Sequence, residues 1–585
     1  MEDLREDGPH ALSAAGVDLV AVRTNGELRV FEGRCPHQGA LLGEGEFEGN
    51  ALVCRNHRWR FDRVTGQRMG LGAKGAEGDP KPQMVNQGEK QCLRSCPSRV
   101  EGGELLVDIA SLTAKGEVRA QRTLEDLPMP PSLPFFGHAF QMKPGQLHRL
   151  LEQWAKTHGP LFRLKVAKRT IVVITESPLF GPILRDRPDT FRRISNFENI
   201  FAELRVQGVF SAEGDAWRAQ RKLVMEALAQ RNVRSFYPAL VDIVDRLRER
   251  WNRAADEGRE LDVCDELKRF TVDVTTLLVF GRDLNTIEKG GEDIIQRHLE
   301  VMFPSIARRV TAVVPYWRYF KLPQDRKLEH AIASIYDWLG KLLAETRAKL
   351  AAEPERMAAP ENFLEAMVVA RDAEGKPFSD GVILANGLTM LLAGEDTTAN
   401  SIAWAIHHLC DVPRAVDAIR SEVDSILQNR SAPTDFDQVG QLAYANAIAN
   451  EAMRLHPVAT TIFLEAIRDV VIDDVAIPKG TPLILLTRTA AMKPDNFVKP
   501  NQFMPERWID SGLGPHEPST LVPFGSGPRI CPGRSLALVE MRVVLSMLYR
   551  HFEVERVGQA SDVREHFTFT LMPIGLRVRL RRRKG

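Results

Sequence analysis

The sequence predicts a multidomain protein, a small all-β domain followed by a large, mainly α domain, and three of its features predict that order. Glycines and short alternating apolar runs crowd the first 110 residues. A polar stretch and a cluster of prolines follow. Beyond about residue 140, long segments carry apolar residues at helical spacing. A chain of 585 residues is also too long for one ordinary core and long enough for two or more.

Within residues 1–110, "LVAVRTNGELRVFEG" and "RVEGGELLVDI" alternate with period two, and Asn25-Gly26 is a hairpin signal. Residues 111–127 include "SLTAKGEVRAQRTLED", which lacks an apolar face and reads as a linker; "LPMPPSLPFFGH" then supplies four prolines and a rigid entry. Residues 128–585 form the large domain, with helices expected in "ALVDIVDRLRERWNRAA", "HAIASIYDWLGKLLAETRAKL" and "ILANGLTMLLAGEDTTANSIAWAIHHL". There is no internal repeat and no low-complexity tract.

The 78 basic and 77 acidic residues leave a net charge of +1, which gives no general reason to bind nucleic acid. The one basic run, "RLRRRKG" at the end, reads as a solvated tail. Seven cysteines and the absence of a secretory signal at "MEDLREDGPHALSAAG" point to a reducing, cytoplasmic setting. No stretch of about eighteen uncharged apolar residues occurs, so no membrane span is expected.

Cys35, His37, Cys54 and His57 form a first constellation, in "CPHQGALLGEGEFEGNALVCRNH". Two sulfurs and two nitrogens could hold tetrahedral zinc, but zinc sites usually take paired Cys-x-x-Cys or His-x(3–5)-His ligands. Here each loop offers one Cys and one His. A two-iron cluster accounts for that mixture, with the thiolates on one iron and the imidazoles on the other. The loops "CPHQGALLGEG" and "CRNHRWRFDRVTGQ", with their spacing and the "W-x-F-D-x-x-T-G" that follows, closely resemble those of Rieske ferredoxins and Rieske domains. The resemblance implies a 2Fe-2S one-electron carrier, whose neutral histidines raise its potential above that of an all-thiolate cluster. Gly39 and Ala40 stand where respiratory Rieske proteins would carry an extra, disulfide-forming cysteine, which favours the soluble ferredoxin type. Cys92 and Cys96 lie outside both loops and read as spare thiols. Ring-hydroxylating oxygenases also carry such modules, but their mononuclear iron commonly takes two histidines five positions apart, and no two of these fourteen are so spaced.

A second constellation, "PFGSGPRICPG" at residues 523–533, sets Cys531 among glycines just before the apolar helix "SLALVEMRVVLSMLYRHF", where backbone N–H groups favour a thiolate. Alone, such a cysteine is usually an inert core residue. The string resembles the haem-binding loop of the cytochrome P-450 family, F-x-x-G-x-R-x-C-x-G, at Phe524, Gly527, Arg529, Cys531 and Gly533. The resemblance implies a mainly α fold with a minor β region, haem b bound through the Cys531 thiolate, Phe524 beside the sulfur and Arg529 on a haem propionate. Further matches stand in the family's order. Glu451 and Arg454 in "ANEAMRLHP", with Arg507 in "FMPERW", imply a buried Glu-Arg-Arg network. Trp508 replaces the more usual Phe there. Trp217 and Arg221 in "AWRAQR" imply propionate contacts. Ala393, Gly394, Asp396 and Thr397 in "LLAGEDTTA" imply a helix distorted over the distal haem face, where Thr397, relayed by Asp396, delivers protons to dioxygen.

Together the resemblances imply a haem-thiolate monooxygenase that hydroxylates a small apolar organic substrate with O2. No dinucleotide fingerprint is present, since "GSGPRI" lacks its last glycine and sits in the haem loop; an external NAD(P)H-dependent flavoprotein reductase is therefore implied. "VATTIFLEA", with Ile462 and Phe463, and "VMFPSIARRVTAVVPYW" correspond by position to apolar pocket walls, with Ala393 beside them. A peroxygenase or isomerase would leave the Asp396/Thr397 pair without purpose. A redox or gas sensor would need an output domain, and none is recognisable.

Overall fold

The computed structural model describes residues 8–14, 17–24, 26–36, 39–55, 59–69, 92–101, 104–109, 120–142, 145–289, 294–312, 314–372, 374–428, 430 and 432–583. In the small domain His10–Ala14, Val17–Thr24, Glu27–Glu32 and Ser95–Cys96 form one antiparallel sheet. Glu46–Glu48, Ala51–Val53, Arg60–Asp62 and Arg68–Met69 form a second, as a meander. Thr24 pairs with Glu27 and Gly26 has φ +82°, as the hairpin signal predicts. Val20, Val22 and Phe31 of the first sheet meet Leu52 and Phe61 of the second, and Cys35 and Cys54 lie in that same apolar cluster.

The large domain is helical with a minor β region, as the sequence predicts. Six helices matter below: α1 (Ser177–Arg185), α2 (Gly214–Ala227), α3 (Val263–Phe280), α4 (Asp380–Leu409), α5 (Ala443–Leu455) and α6 (Arg534–His551). The Asp262 carboxylate caps α3 by accepting from the N–H groups of Cys264 and Asp265, and Ser379 Oγ caps α4 by accepting from that of Val382. α4 is apolar nearly all round because it runs through the core, and α6 is buried along most of Val539–Tyr549. A five-stranded sheet runs in the order Leu161–Val166, Arg169–Ile174, Pro482–Leu486, Thr461–Ala466, Phe191–Arg193.

Two expectations change. Residues 121 and 122 of the expected linker already sit on the large domain: their N–H groups donate to the Asp474 carbonyl at 2.8 and 3.0 Å, and the Arg122 guanidinium pairs with the Asp474 carboxylate. Residues 111–119 lie outside the described residues. The basic C-terminal run is not a solvated tail. Arg577–Arg582 is a strand between Glu260–Asp262 and Phe552–Arg556. Alternation inside the run buries Val578 and Leu580, while Arg579, Arg581 and Arg582 pair with Glu260, Glu555 and Asp256.

Candidate functional site

Each loop of the first constellation is closed by the same backbone bond. Cys35 N–H donates to the Ala40 carbonyl at 2.8 Å, and Cys54 N–H donates to that of Trp59 at 2.7 Å. Both cysteines are 1% exposed, and all seven cysteines of the chain are thiols, not disulfides. His37 and His57 lie outside the described residues. Two buried thiols in matching loops suit a thiolate-ligated cluster.

In the second constellation, Cys531 N–H donates to the Phe524 carbonyl at 2.8 Å. Phe524 is half-buried against the core cluster that holds α6. Cys531 is exposed although Ile530, Val522 and Val539 around it are buried, and Ala393 of α4 is likewise exposed in a helix that is otherwise mostly buried. Although its surface is open, the protein mass packed around Cys531 keeps bulk solvent at a distance and pushes the thiol up, opposed by a hydrogen bond from Gly533 N–H and by the charges of Arg221 and Arg534. A cationic surrounding of this kind favours a thiolate once a metal takes the sulfur.

Behind the loop stands a set of buried arginines with too few anions. Arg529 donates to Glu213 Oε2 at 2.5 Å and to the Ala212 carbonyl at 2.8 Å, and lies 4.4 Å from the Trp217 ring centroid. Its Nε and Nη1 have no hydrogen-bond partner, nor have Nε and Nη2 of buried Arg187. Burial pulls the Arg529 pKa down to about 9, against the Glu213 carboxylate, and lowers that of Arg193 to about 10. Burial likewise lowers Arg187 strongly, aided by the charges of Arg193 and Arg529. Buried donors left open in this way call for an anion. A haem carrying carboxylates fits the donor set. Arg221, expected on a propionate, donates instead to the Ile530 carbonyl at 2.7 Å and to Glu44 of the small domain at 3.1 Å.

The Glu451 network is complete. Arg454 donates to both Glu451 oxygens at 2.9 and 2.8 Å, and Arg507 Nε donates to Oε1 at 3.1 Å, all three side chains being at most 1% exposed. Trp508 adds to the network, since its indole N–H donates to Glu451 Oε2 at 2.9 Å.

On α4 the helix runs unbroken, without the expected distortion. The Thr397 hydroxyl donates to the Ala393 carbonyl at 2.7 Å, which satisfies it within the helix. Thr397 is half-buried, whereas Asp396 is 2% exposed and lies 3.0 Å from Lys268 Nζ on α3. Burial would lower the Lys268 pKa, but Asp396 and Glu395 outweigh it and raise it. Gly394 permits a helix contact: a Cβ there would stand 2.4 Å from Thr275 Oγ1 on α3. Ile462 and Phe463 are consecutive in a strand and pack into different clusters, so they do not line one wall together. Sequence reasoning missed Phe197, Phe201, Phe210 and Phe569, whose rings meet at 4.6 to 6.1 Å in the cluster that holds Leu388 and Leu392 of α4.

The two constellations converge. A Cβ on Gly39, in the first cluster loop (φ +69°), would fall 1.8 Å from Arg185 Cγ at the end of α1; one on Gly527, in the haem loop, would fall 2.2 Å from the Leu184 carbonyl oxygen. Both loops thus press on the same helix end. Arg55, next to Cys54, donates to the carbonyls of Met225 and Leu228 at the C-terminal end of α2, at 3.0 and 2.9 Å. Burial lowers the Arg534 pKa, against the charges of Cys54 and Cys531, both of which reach it.

A thiolate loop beside unsatisfied buried cations, with a second thiolate pair close by, defines a haem-thiolate redox protein with its own iron–sulfur module. The family model "Cytochrome P450" matches residues 127–579, and "Rieske [2Fe-2S] domain" matches residues 1–76. The chain belongs to the cytochrome P450 family, with a Rieske domain ahead of the P450 domain. It is similar to human mitochondrial 25-hydroxyvitamin D-1 alpha hydroxylase, 27% identical over 79% of this chain and 94% of the relative. It is similar to LUTEIN DEFICIENT 5 of Arabidopsis thaliana, a chloroplastic protein, 26% identical over 70% of this chain and 69% of the relative. The self-sufficient cytochrome P450 monooxygenase CYP505E3 of Phanerodontia chrysosporium is 24% identical over 78% of this chain and 43% of its own length. The protein is a P450 monooxygenase that uses haem, a 2Fe-2S cluster, O2 and an electron donor. Among the described residues no helix is long and apolar enough to cross a membrane.

Proposed function

We propose that the protein hydroxylates an apolar organic substrate and draws its electrons from an external NAD(P)H-dependent flavoprotein reductase through residues 1–110, joined by residues 111–127 to a haem domain of residues 128–585. The observation that carries this reading is the approach of both metal loops to the end of α1, Gly39 on Arg185 and Gly527 on Leu184. Haem b would be held by Cys531 with Phe524 behind the sulfur, and its propionates would meet Arg529 and the cations near Trp217 and Arg221. The cluster would take Cys35, Cys54, His37 and His57. When bound, the haem activates dioxygen with electrons that the cluster supplies singly.

The protein's own part is to position groups and move protons. Thr397 faces the open side of α4, where its hydroxyl can release the Ala393 carbonyl and donate into the site. Asp396 pairs with Lys268 behind the helix, and its turn toward Thr397 would bring a proton from that side. Ala393 would leave room beside the haem, Gly394, expected there as well, instead lets α4 pack closely on α3, and Glu451, Arg454 and Arg507 would fix the scaffold of the haem loop. The four-phenylalanine cluster next to α4 supports an apolar substrate. Seven thiols without a disulfide suit a reducing, cytoplasmic setting.

The test is NADH- or NADPH-driven product formation with a flavoprotein reductase, for the intact protein and for His57→Ala. Turnover should fall at least a hundredfold in the variant while the ferrous-CO spectrum under chemical reduction is kept. Unchanged turnover would sink the relay.

A further inference from the structure

The surface between the two domains is built from charge. Asp18 and Arg34 of the small domain and Asp189 and Arg218 of the large one form a closed ring in which acid and base alternate. Arg34 lies 2.6 Å from Asp18 and 2.9 Å from Asp189, and Arg218 lies 3.3 Å from Asp18 and 2.9 Å from Asp189. Their side chains are 9–32% exposed. Arg221–Glu44 and the two hydrogen bonds of Arg55 add to the contact. Among the described residues no apolar cluster contains side chains of both domains.

A permanent joint would bury an apolar core, whereas a polar joint of partly exposed ion pairs is the kind that opens. Each such pair is worth little, and salt screens it: the Debye length shortens from about 10 Å at 0.1 M to about 3 Å at 1 M. The closed contact also covers the cluster end of the small domain. Gly39 is against Arg185, Arg55 is on α2 and Glu44 is on Arg221. No reductase can occupy that end while it is docked.

We propose that the ring of Asp18, Arg34, Asp189 and Arg218 is a reversible latch. Closed, it holds the cluster loops on the thiolate face for transfer of one electron, the cluster being oxidised and the ferric haem reduced. Open, it presents the same loops to the flavoprotein reductase, which returns the cluster to its reduced state. The four residues are positioning residues. The proposal rests on the electron-relay reading, and the experiment separates the two.

Full-length holoprotein is compared with Asp189→Asn/Arg218→Gln, which removes the large-domain half of the ring and leaves the cofactor contacts in place. Hydrogen exchange of peptides covering residues 39–55 and 214–228 reports docking without electron transfer. Protection in both should fall together in wild type as salt rises from 0.05 to 1 M (about 20-fold, a range chosen to span the screening lengths above), and should be low at all salt in the variant. Photoreduction of the cluster followed by the haem ferrous-CO band reports transfer. Its rate should fall at least tenfold in wild type at high salt and in the variant, whereas Asp189→Glu, which keeps the charge opposite Arg34 and Arg218, should hold it near the wild-type value. Cluster reduction by a flavoprotein ferredoxin reductase that reduces wild type should be as fast or faster in the variant. Exchange indifferent to salt and to the variant overturns the latch, as does slowed reloading in the variant. Lost docking with an unchanged transfer rate also overturns the latch, whereas salt-dependent docking with no cluster-to-haem transfer in wild type overturns the relay reading and leaves the docking intact. The salt series on wild type holds even if the variant folds poorly.

Discussion

Lys268 stands 128 positions before Asp396, and no spacing in the sequence joins them; the packing of α3 on α4 does. Its role is testable through the charge it would leave behind. In Lys268→Met the Asp396 carboxylate stays buried without a cation, a loss of about 3 kcal/mol in unfolding free energy near pH 8. At pH 5 the loss should shrink, because an unpaired buried carboxyl takes up a proton and sheds the penalty. Denaturant titrations at the two pH values measure this, and Lys268→Arg should restore stability. The Glu451 side chain accepts from Arg454, Arg507, Trp508 and the Met504 N–H, so Glu451→Gln should cost about 3–5 kcal/mol and lower haem retention, read by thermal unfolding and by the haem-to-protein absorbance ratio. Cys531, Glu451 and Arg507 were legible because local motifs carry them. Arg187 was not, because open guanidinium nitrogens have no signature until burial is known.

At the scale of elements, period-two and helical patterns reveal the class and order of the domains, since burial of one face writes itself into spacing. The fate of 577–582 was hidden because charge masked a strand whose apolar residues are only Val578 and Leu580. Trp508 in place of the more usual Phe carries no sign of a role in the sequence, and its indole N–H bond to Glu451 appears only when the turn at Pro505–Trp508 is folded over α5. The α3–α4 contact depends on Gly394. Gly394→Ala should destabilise by about 1–3 kcal/mol, and Thr275→Ala in the same chain should recover at least half, since the Cβ would otherwise meet Thr275 Oγ1 at 2.4 Å. A double-mutant cycle by urea unfolding reads the coupling.

Across the whole molecule, distant segments meet in one buried polar cluster. His408 of α4 lies 2.9 Å from His456 after α5, and His456 and Arg488 both contact Glu565. Burial lowers the pKa of His407 to about 4 and also depresses His408 and His456. For Glu565, burial would raise the carboxyl, but hydrogen bonds from His148, His456 and Arg488 outweigh it and hold it low. In the unfolded chain these groups take up protons at their ordinary pKa values, about 6.5 for His and below 5 for Glu. All four shifts therefore have one sign: stability is full above about pH 6.5 and falls as pH drops toward 4. Thermal unfolding from pH 8 to pH 4.5 should show a monotonic fall, shallower in His407→Asn.

The polar joint and the single chain that crosses it have a kinetic consequence. A monooxygenase supplied by a separate ferredoxin waits for a bimolecular collision, so its output per molecule drops as the proteins are diluted. Here donor and acceptor share one covalent molecule, and the second encounter is governed by an effective concentration set by the tether. The photoreduced cluster should therefore discharge to the haem as a first-order process, with a rate constant unchanged on hundredfold dilution. Only reloading by the proposed external reductase should slow. The order of reaction, more than its speed, marks what fusion has done to this electron pathway.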